Sequence, residues 1–168
     1  MSHLIIVRSP QKRQFTNQFS MSPDGCQVVY NLIRQLLAES PQFMCLAGDE
    51  SSAFQLAERV EMRRQLVENF PHFVPFFSAC YDAPADLIYG DQTIPAERAG
   101  TGSQQGCPWG TFLHGLTQRR RVTQLINDNP DVWIFLLADD IFIVGPPALV
   151  VQAYEQYDAM VTSPRRER

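Results

Sequence analysis

Apolar positions recur along this chain at helical and strand spacings in turn, and that alternation lays out the elements. After Ser22, the run Ser-Pro-Asp-Gly gives way to Val28, Val29, Leu32, Ile33, Leu36 and Leu37, a doubled i, i+4, i+8 stripe that predicts an amphipathic helix ending before Pro41. Phe43 to Ala47 is a short apolar run between Pro41 and Gly48, which reads as a buried strand stopping at Asp49. Ser52 and Gln55 have capping-box spacing, and Phe54, Ala57, Val60, Val67 and Phe70 extend one helical stripe up to Pro71. Phe73, Phe76, Phe77, Cys80 and Tyr81 keep helical spacing and predict a further helix against the core.

Asp86 to Tyr89 and Thr93 to Glu97 flank Gly-Asp-Gln, the pattern of a hairpin with a three-residue loop. A glycine-rich loop carrying Gly100, Gly102, Gly106 and Pro108 then feeds a long helix marked by Trp109, Phe112, Leu113, Leu116, Val122, Leu125 and Ile126, ending near Asn127. Val132 to Leu137 and Ile141 to Val144 are strand-like runs separated by Ala-Asp-Asp. Pro146-Pro147 opens a last helix carrying Leu149, Val150, Ala153 and Tyr157, and Pro164 to Arg168 reads as a solvated tail. The opening, Met1 to Ser20, shows no sustained period and reads as a short strand or a frayed terminus. Together these elements read as the helices and strands of an α+β fold.

Length and composition narrow the classes. A chain of 168 residues, 45% hydrophobic and 19% charged, suits one globular domain. A net charge of −4 argues against gripping nucleic acid by bulk charge, so any polyanion contact is local. The longest apolar run, Val132 to Ala138, is far short of the roughly 20 residues that span a bilayer. Met1 to Arg13 lacks a signal-peptide pattern, so an intracellular location, nuclear or cytoplasmic, is expected. Cys26, Cys45, Cys80 and Cys107 are widely separated, without zinc spacing or a disulfide framework, and reduced, mostly buried thiols are expected.

The chemistry concentrates at three places. Asp139 and Asp140 are adjacent carboxylates between two strongly apolar segments, where a tight turn would favour Asn-Gly or Asp-Gly. Like charges near an apolar surface persist most comfortably beside a cation, although the pair reads equally as an exposed acidic turn. Asp49 also ends an apolar strand; alone it reads as a helix-flanking carboxylate, but with the pair it could complete a cluster suited to hard, oxygen-seeking Mg²⁺. The loop from Gly100 to Gly110 lets backbone approach a phosphate or a base, yet it has no Walker pattern and glycine-rich turns are mostly turns. Arg119, Arg120 and Arg121 read more readily as a solvated face than as phosphate ligands, and His3, His72 and His114 have no spacing that assigns them a role.

Three segments, in this order and spacing, together resemble the palm domain of reverse transcriptases, most closely the retroelement type. Leu46 to Gln55, Leu-Ala-Gly-Asp-Glu-Ser-Ser-Ala-Phe-Gln, is similar to the first palm motif. Gly102 to Gly110, Gly-Ser-Gln-Gln-Gly-Cys-Pro-Trp-Gly, resembles the second, the Q-G-x-P loop, and Leu137 to Asp140, followed by Ile-Phe-Ile-Val-Gly, the third, the aspartate-pair hairpin. The resemblance covers roughly Ser22 to Tyr157.

It implies RNA-directed DNA polymerase activity, a templated nucleotidyl transfer, with an α+β palm-like domain over residues 22–160 in which an antiparallel sheet carrying the carboxylates packs against helices, a remnant of fingers over 1–21 and a polar tail over 161–168. Asp49, Asp139 and Asp140 would be the catalytic, Mg²⁺-binding carboxylates. The backbone of Glu50 to Ala53 would lie along the triphosphate, Phe54 would crowd a ribose 2′-hydroxyl, and Gln105, Gly106 and Pro108 would shape the floor under the nascent pair. The implied partners are an RNA or DNA template with primer and deoxynucleoside triphosphates. Fingers and thumb are expected to be incomplete, which leaves room for a partner chain that supplies them. Cys107 stands where many relatives have aspartate, Trp109 where they have a smaller aliphatic residue, and Leu137 where they have tyrosine. The alternatives are a non-catalytic retroelement remnant acting as a nucleic-acid or protein interaction module, and an unrelated α+β fold whose acidic pairs are structural. A separation of more than about 10 Å between Asp49 and Asp139, too far to share a two-ion site, would support the last.

Overall fold

A computed structural model of the chain describes residues 17–83, 87–94, 101–103 and 106–166. In chain order the elements are α1 (Gly25–Glu39), β1 (Met44–Asp49), α2 (Ala53–Leu56), α3 (Arg59–Asn69), a 3-10 turn (Pro71–Phe73), α4 (Val74–Tyr81), β2 (Leu87–Tyr89), β3 (Gln92–Ile94), α5 (Gly110–Asp128), β4 (Trp133–Leu137), β5 (Asp140–Gly145) and α6 (Pro147–Arg166). The fold is α+β. Three strands form an antiparallel sheet in the order β1-β5-β4, and β2 with β3 makes a separate hairpin.

β5 takes the centre, where both neighbours cover it, and its Ile143 and Val144 are fully buried. Strand pleating sends alternate residues to opposite faces. Ile134 and Leu136 of β4 with Ile141 and Ile143 of β5 face α5 and α6, where they meet Val122, Leu125, Val150, Ala153 and Tyr157. Phe135 and Val144 face the other way, onto Val29 of α1. A second core joins α3, α4 and α5 through Met62, Leu66, Phe77, Tyr81, Leu113 and Leu116. α5 serves both cores, which is why it is buried around most of its girth, from Gly110 through Gln118 to Leu125.

Several elements differ from the sequence reading. The single helix expected up to Pro71 is two, because Ala57 is extended (φ −61°, ψ 133°) and separates α2 from α3. Ser52 makes no capping bond through its side chain. On α3 the stripe turned inward is Met62, Gln65 and Leu66, while Val60 and Val67 are 82% and 55% exposed. The hairpin loop has two residues, Gly90 and Asp91, since Tyr89 pairs with Gln92; Asp86 and Glu97 lie outside the described residues, as do residues 1–16. Cys26 and Cys80 are exposed, on outward faces of α1 and α4, and Cys45 and Cys107 are half-buried, so the free thiols are less buried than expected. α6 continues to Arg166, into the stretch read as a tail. Among the described residues no helix is long and apolar enough to cross a membrane.

Candidate functional site

β1 and β5 run side by side, so the C-terminal end of β1 lies beside the start of β5 at one end of the sheet. Asp49 and Asp140 are direct antiparallel partners, which sets their Cα atoms about 4.5–5.5 Å apart. Asp139 precedes Asp140 by one peptide, and its carbonyl accepts the Glu50 N–H at 3.2 Å. The Asp49 and Asp139 Cα atoms are therefore within about 10 Å of each other. Asp49 shares a strand face with Cys45, and Asp140 with Phe142 and Val144. That is the face on which α1 packs, and there Ala47, Asp49 and Asp140 remain exposed. Partial desolvation and then the charges of Asp139 and Asp49 push the Asp140 carboxyl above the usual aspartate value. Asp49, Asp139 and Asp140 are thus the residues with the donor chemistry for a hard divalent cation. Among the described residues, however, no three His, Cys, Asp or Glu side chains are gathered so as to hold a metal ion. The register joins the positions; the carboxylate oxygens do not form a ready cage.

The turn between β4 and β5 is Ala138-Asp139, closed by the Leu137–Asp140 pair. Ala138 has φ +55°, a left-handed conformation that costs a residue with a Cβ roughly 1–2 kcal/mol. Its N–H donates to Gln18 Oε1 and its carbonyl accepts from Gln18 Nε2, both at 3.0 Å. Gln18 Nε2 also donates to Gln118 Oε1 at 3.0 Å, and Gln118 Nε2 to Glu50 Oε2 at 3.4 Å. The Tyr157 hydroxyl donates to the same Glu50 oxygen at 3.4 Å. Glu50 is buried beneath the strand end, so Asp49 and Glu50 point to opposite sides. Burial, and then Glu50, push the Tyr157 hydroxyl well above its usual range.

His114 lies beside this network, 1% exposed, its ring 4.8 Å from that of Phe54. Neither ring nitrogen has a hydrogen-bond partner among the described residues. Burial lowers its pKa; Arg121 acts in the same direction, Glu50 and Asp139 in the opposite one.

The second predicted motif docks on the first. Gly102 N–H donates to the Ala57 carbonyl at 3.0 Å, Ser103 N–H to the Phe54 carbonyl at 2.8 Å, and Arg59 Nε to the Gly102 carbonyl at 2.9 Å. Gly102 has φ +71°, and a Cβ there would strike the Phe54 and Gln55 carbonyls. Gln105 lies outside the described residues. Gly106 and Pro108 are exposed just before α5, and Phe54 is half-buried. The Glu50 N–H is used by Asp139, and the Ala53 N–H by the Glu50 carbonyl at 3.1 Å, so these two donors face protein.

Arg119, Arg120 and Arg121 do not act as a unit. Arg119 bonds Gln65 at 3.3 Å, Arg120 is exposed, and Arg121 is half-buried near His114 and Tyr157. Arg119 and Arg120 line an open groove of about 440 Å³ that also carries Glu68 and Asp128, and that contains none of the predicted catalytic or nucleotide-binding residues. The residues missed by sequence reading are Gln18, His114, Gln118 and Tyr157. A signal existed for two of them: His114 and Gln118 are four apart on a helix face that is otherwise apolar or small, running Gly110, His114, Gln118, Val122. Gln18 left no such mark.

No family model matches the chain, and no curated protein matches it in sequence. Its fold is similar to that of apo telomerase from Candida tropicalis truncated from the C-terminal domain, at a TM-score of 0.52 and 6% identity over 88% of this chain. The chain spans about a third of that telomerase chain, 33% of its length. The likeness is one of fold: this helix-backed antiparallel sheet is an arrangement that a part of telomerase shares.

Proposed function

We propose that the chain is a reverse-transcriptase palm, residues 22–160, whose chemistry is templated transfer of a deoxynucleotide to a primer 3′-hydroxyl. The observation that carries this reading is the pairing of Asp49 with Asp140 across β1 and β5, with Asp139 in the adjoining turn. The similarity in fold to telomerase supports it. On this reading Asp49, Asp139 and Asp140 hold Mg²⁺, which when bound offsets charge on the attacking and leaving oxygens. The exposed strand ends carrying Asp49 and Asp140 receive the triphosphate and primer end. Phe54, backed by His114, stands against the sugar, and Gln105, Gly106 and Pro108 lie under the new base pair. The N–H groups of Glu50 and Ala53 support the turn instead of the triphosphate. Template, primer and deoxynucleotides are the partners, and fingers and thumb come from elsewhere, from a partner chain or from further sequence.

A second reading, a non-catalytic interaction module derived from a retroelement, is favoured by one observation: the acidic side chains are near one another without being gathered on a centre. Primer extension separates the two. Mg²⁺-dependent addition of a deoxynucleotide by the chain, reduced about 100-fold or more by Asp139→Asn, supports the polymerase reading. Extension that survives Asp139→Asn unchanged refutes the role given to Asp139, and ion binding without any extension favours the second reading.

A further inference from the structure

We infer that Gln18 is a positioning residue for the acidic turn: its side-chain amide clamps both polar groups of Ala138 and thereby fixes where Asp139 and Asp140 stand. Its geometry is independent of the function proposed above; its consequence for ion binding rests on that reading.

A turn with a left-handed alanine persists only when its surroundings over-determine it. The surroundings here are a chain of hydrogen bonds with one allowed direction. The Glu50 carboxylate only accepts, so Gln118 presents its Nε2 to Glu50 and its Oε1 to Gln18. Gln18 must then donate from Nε2, which leaves Oε1 as the acceptor facing the Ala138 N–H. Ser20 strengthens that orientation, its hydroxyl donating to Gln18 Oε1 at 2.8 Å and its N–H at 3.2 Å. A carboxamide offers a donor and an acceptor in one plane, the complement of the N–H and C=O of Ala138, and a glutamate in its place would lose the donor and set a charge beside Asp139. The base of the clamp is rigid, because backbone bonds tie Asn17 and Phe19 to Leu136 of β4 at 2.9 and 2.8 Å. Glu50 closes the ring by holding the Asp139 carbonyl through its own N–H.

The test compares the full chain with its Gln18→Ala and Gln18→Glu variants by amide hydrogen exchange and by Mn²⁺ titration. Exchange at Ala138 is expected to accelerate about tenfold or more in both variants, with Ile143 at the buried centre of β5 unchanged and Mn²⁺ affinity reduced several-fold. Unchanged exchange at Ala138 overturns the inference, as does equal acceleration at Ile143, which reports general unfolding. Faster exchange at Ala138 with undiminished Mn²⁺ affinity reduces Gln18 to a structural role and likewise overturns it. If the unsubstituted chain takes up no Mn²⁺, the ion-binding reading fails by itself, and exchange at Ala138 still decides whether Gln18 fixes the turn.

Discussion

At the scale of single residues, the acidic edge is a place where the fold works against itself. Asp140 is held above its ordinary pKa by partial desolvation and by Asp139 and Asp49, so the folded state favours its neutral form. Such a group adds stability below its unfolded value and loses it as pH rises through the folded one. In chelator at neutral pH, Asp140→Asn is therefore expected to raise Tm by roughly 1–3 °C. In acid, where the carboxyl is already neutral, the same substitution leaves Tm unchanged. Thermal unfolding at the two pH values checks this, and a loss of stability at neutral pH would show that the Asp140 carboxylate is satisfied by the protein itself. Aspartates at these positions were legible because each interrupts or ends an apolar run. Gln18 was not, since its partner Ala138 is 120 residues away and only folding brings them together.

At the scale of elements, the strands and α5 were legible because their apolar runs admit one reading. α3 was not, because it carries two candidate stripes, Val60 with Val67 and Met62 with Leu66, and sequence spacing does not choose between them. The choice is made by α4 and α5, which meet Met62 and Leu66 in the second core. Likewise the break at Ala57 has no proline or glycine to announce it. It coincides with the docking of Gly102 and Ser103 on the Phe54 and Ala57 carbonyls, a contact between segments more than 40 residues apart. The consequence is measurable by urea denaturation. Met62→Ala is expected to cost about 2–5 kcal/mol, and Val60→Glu to stay within about 0.5 kcal/mol of the parent. A large loss from Val60→Glu would return that stripe to the core and contradict the described packing.

At the scale of the whole molecule, a three-stranded sheet covered by α5 and α6 on one face and only partly by α1 on the other leaves the strand ends that carry Asp49 and Asp140 open. Length, composition and patterning made the α+β architecture legible, but not how far α1 would extend over its face. That depends on where the chain enters the sheet, through Asn17 and Phe19 against β4. On the proposed reading, a chain with a net charge of −4 grips nucleic acid weakly by itself, since backbone phosphates supply much of such affinity; primer and template binding is expected to need further protein surface. Ion binding needs none, and paramagnetic broadening by Mn²⁺ in ¹⁵N-labelled protein reads it residue by residue. If the strand-end carboxylates act together, sub-stoichiometric Mn²⁺ broadens the amides of residues 48–50 and 138–141 first, and Asp49→Asn abolishes that pattern. Broadening centred elsewhere, at Glu61 and Glu68 for instance, or a pattern indifferent to Asp49→Asn, would mean that the three aspartates do not form one site.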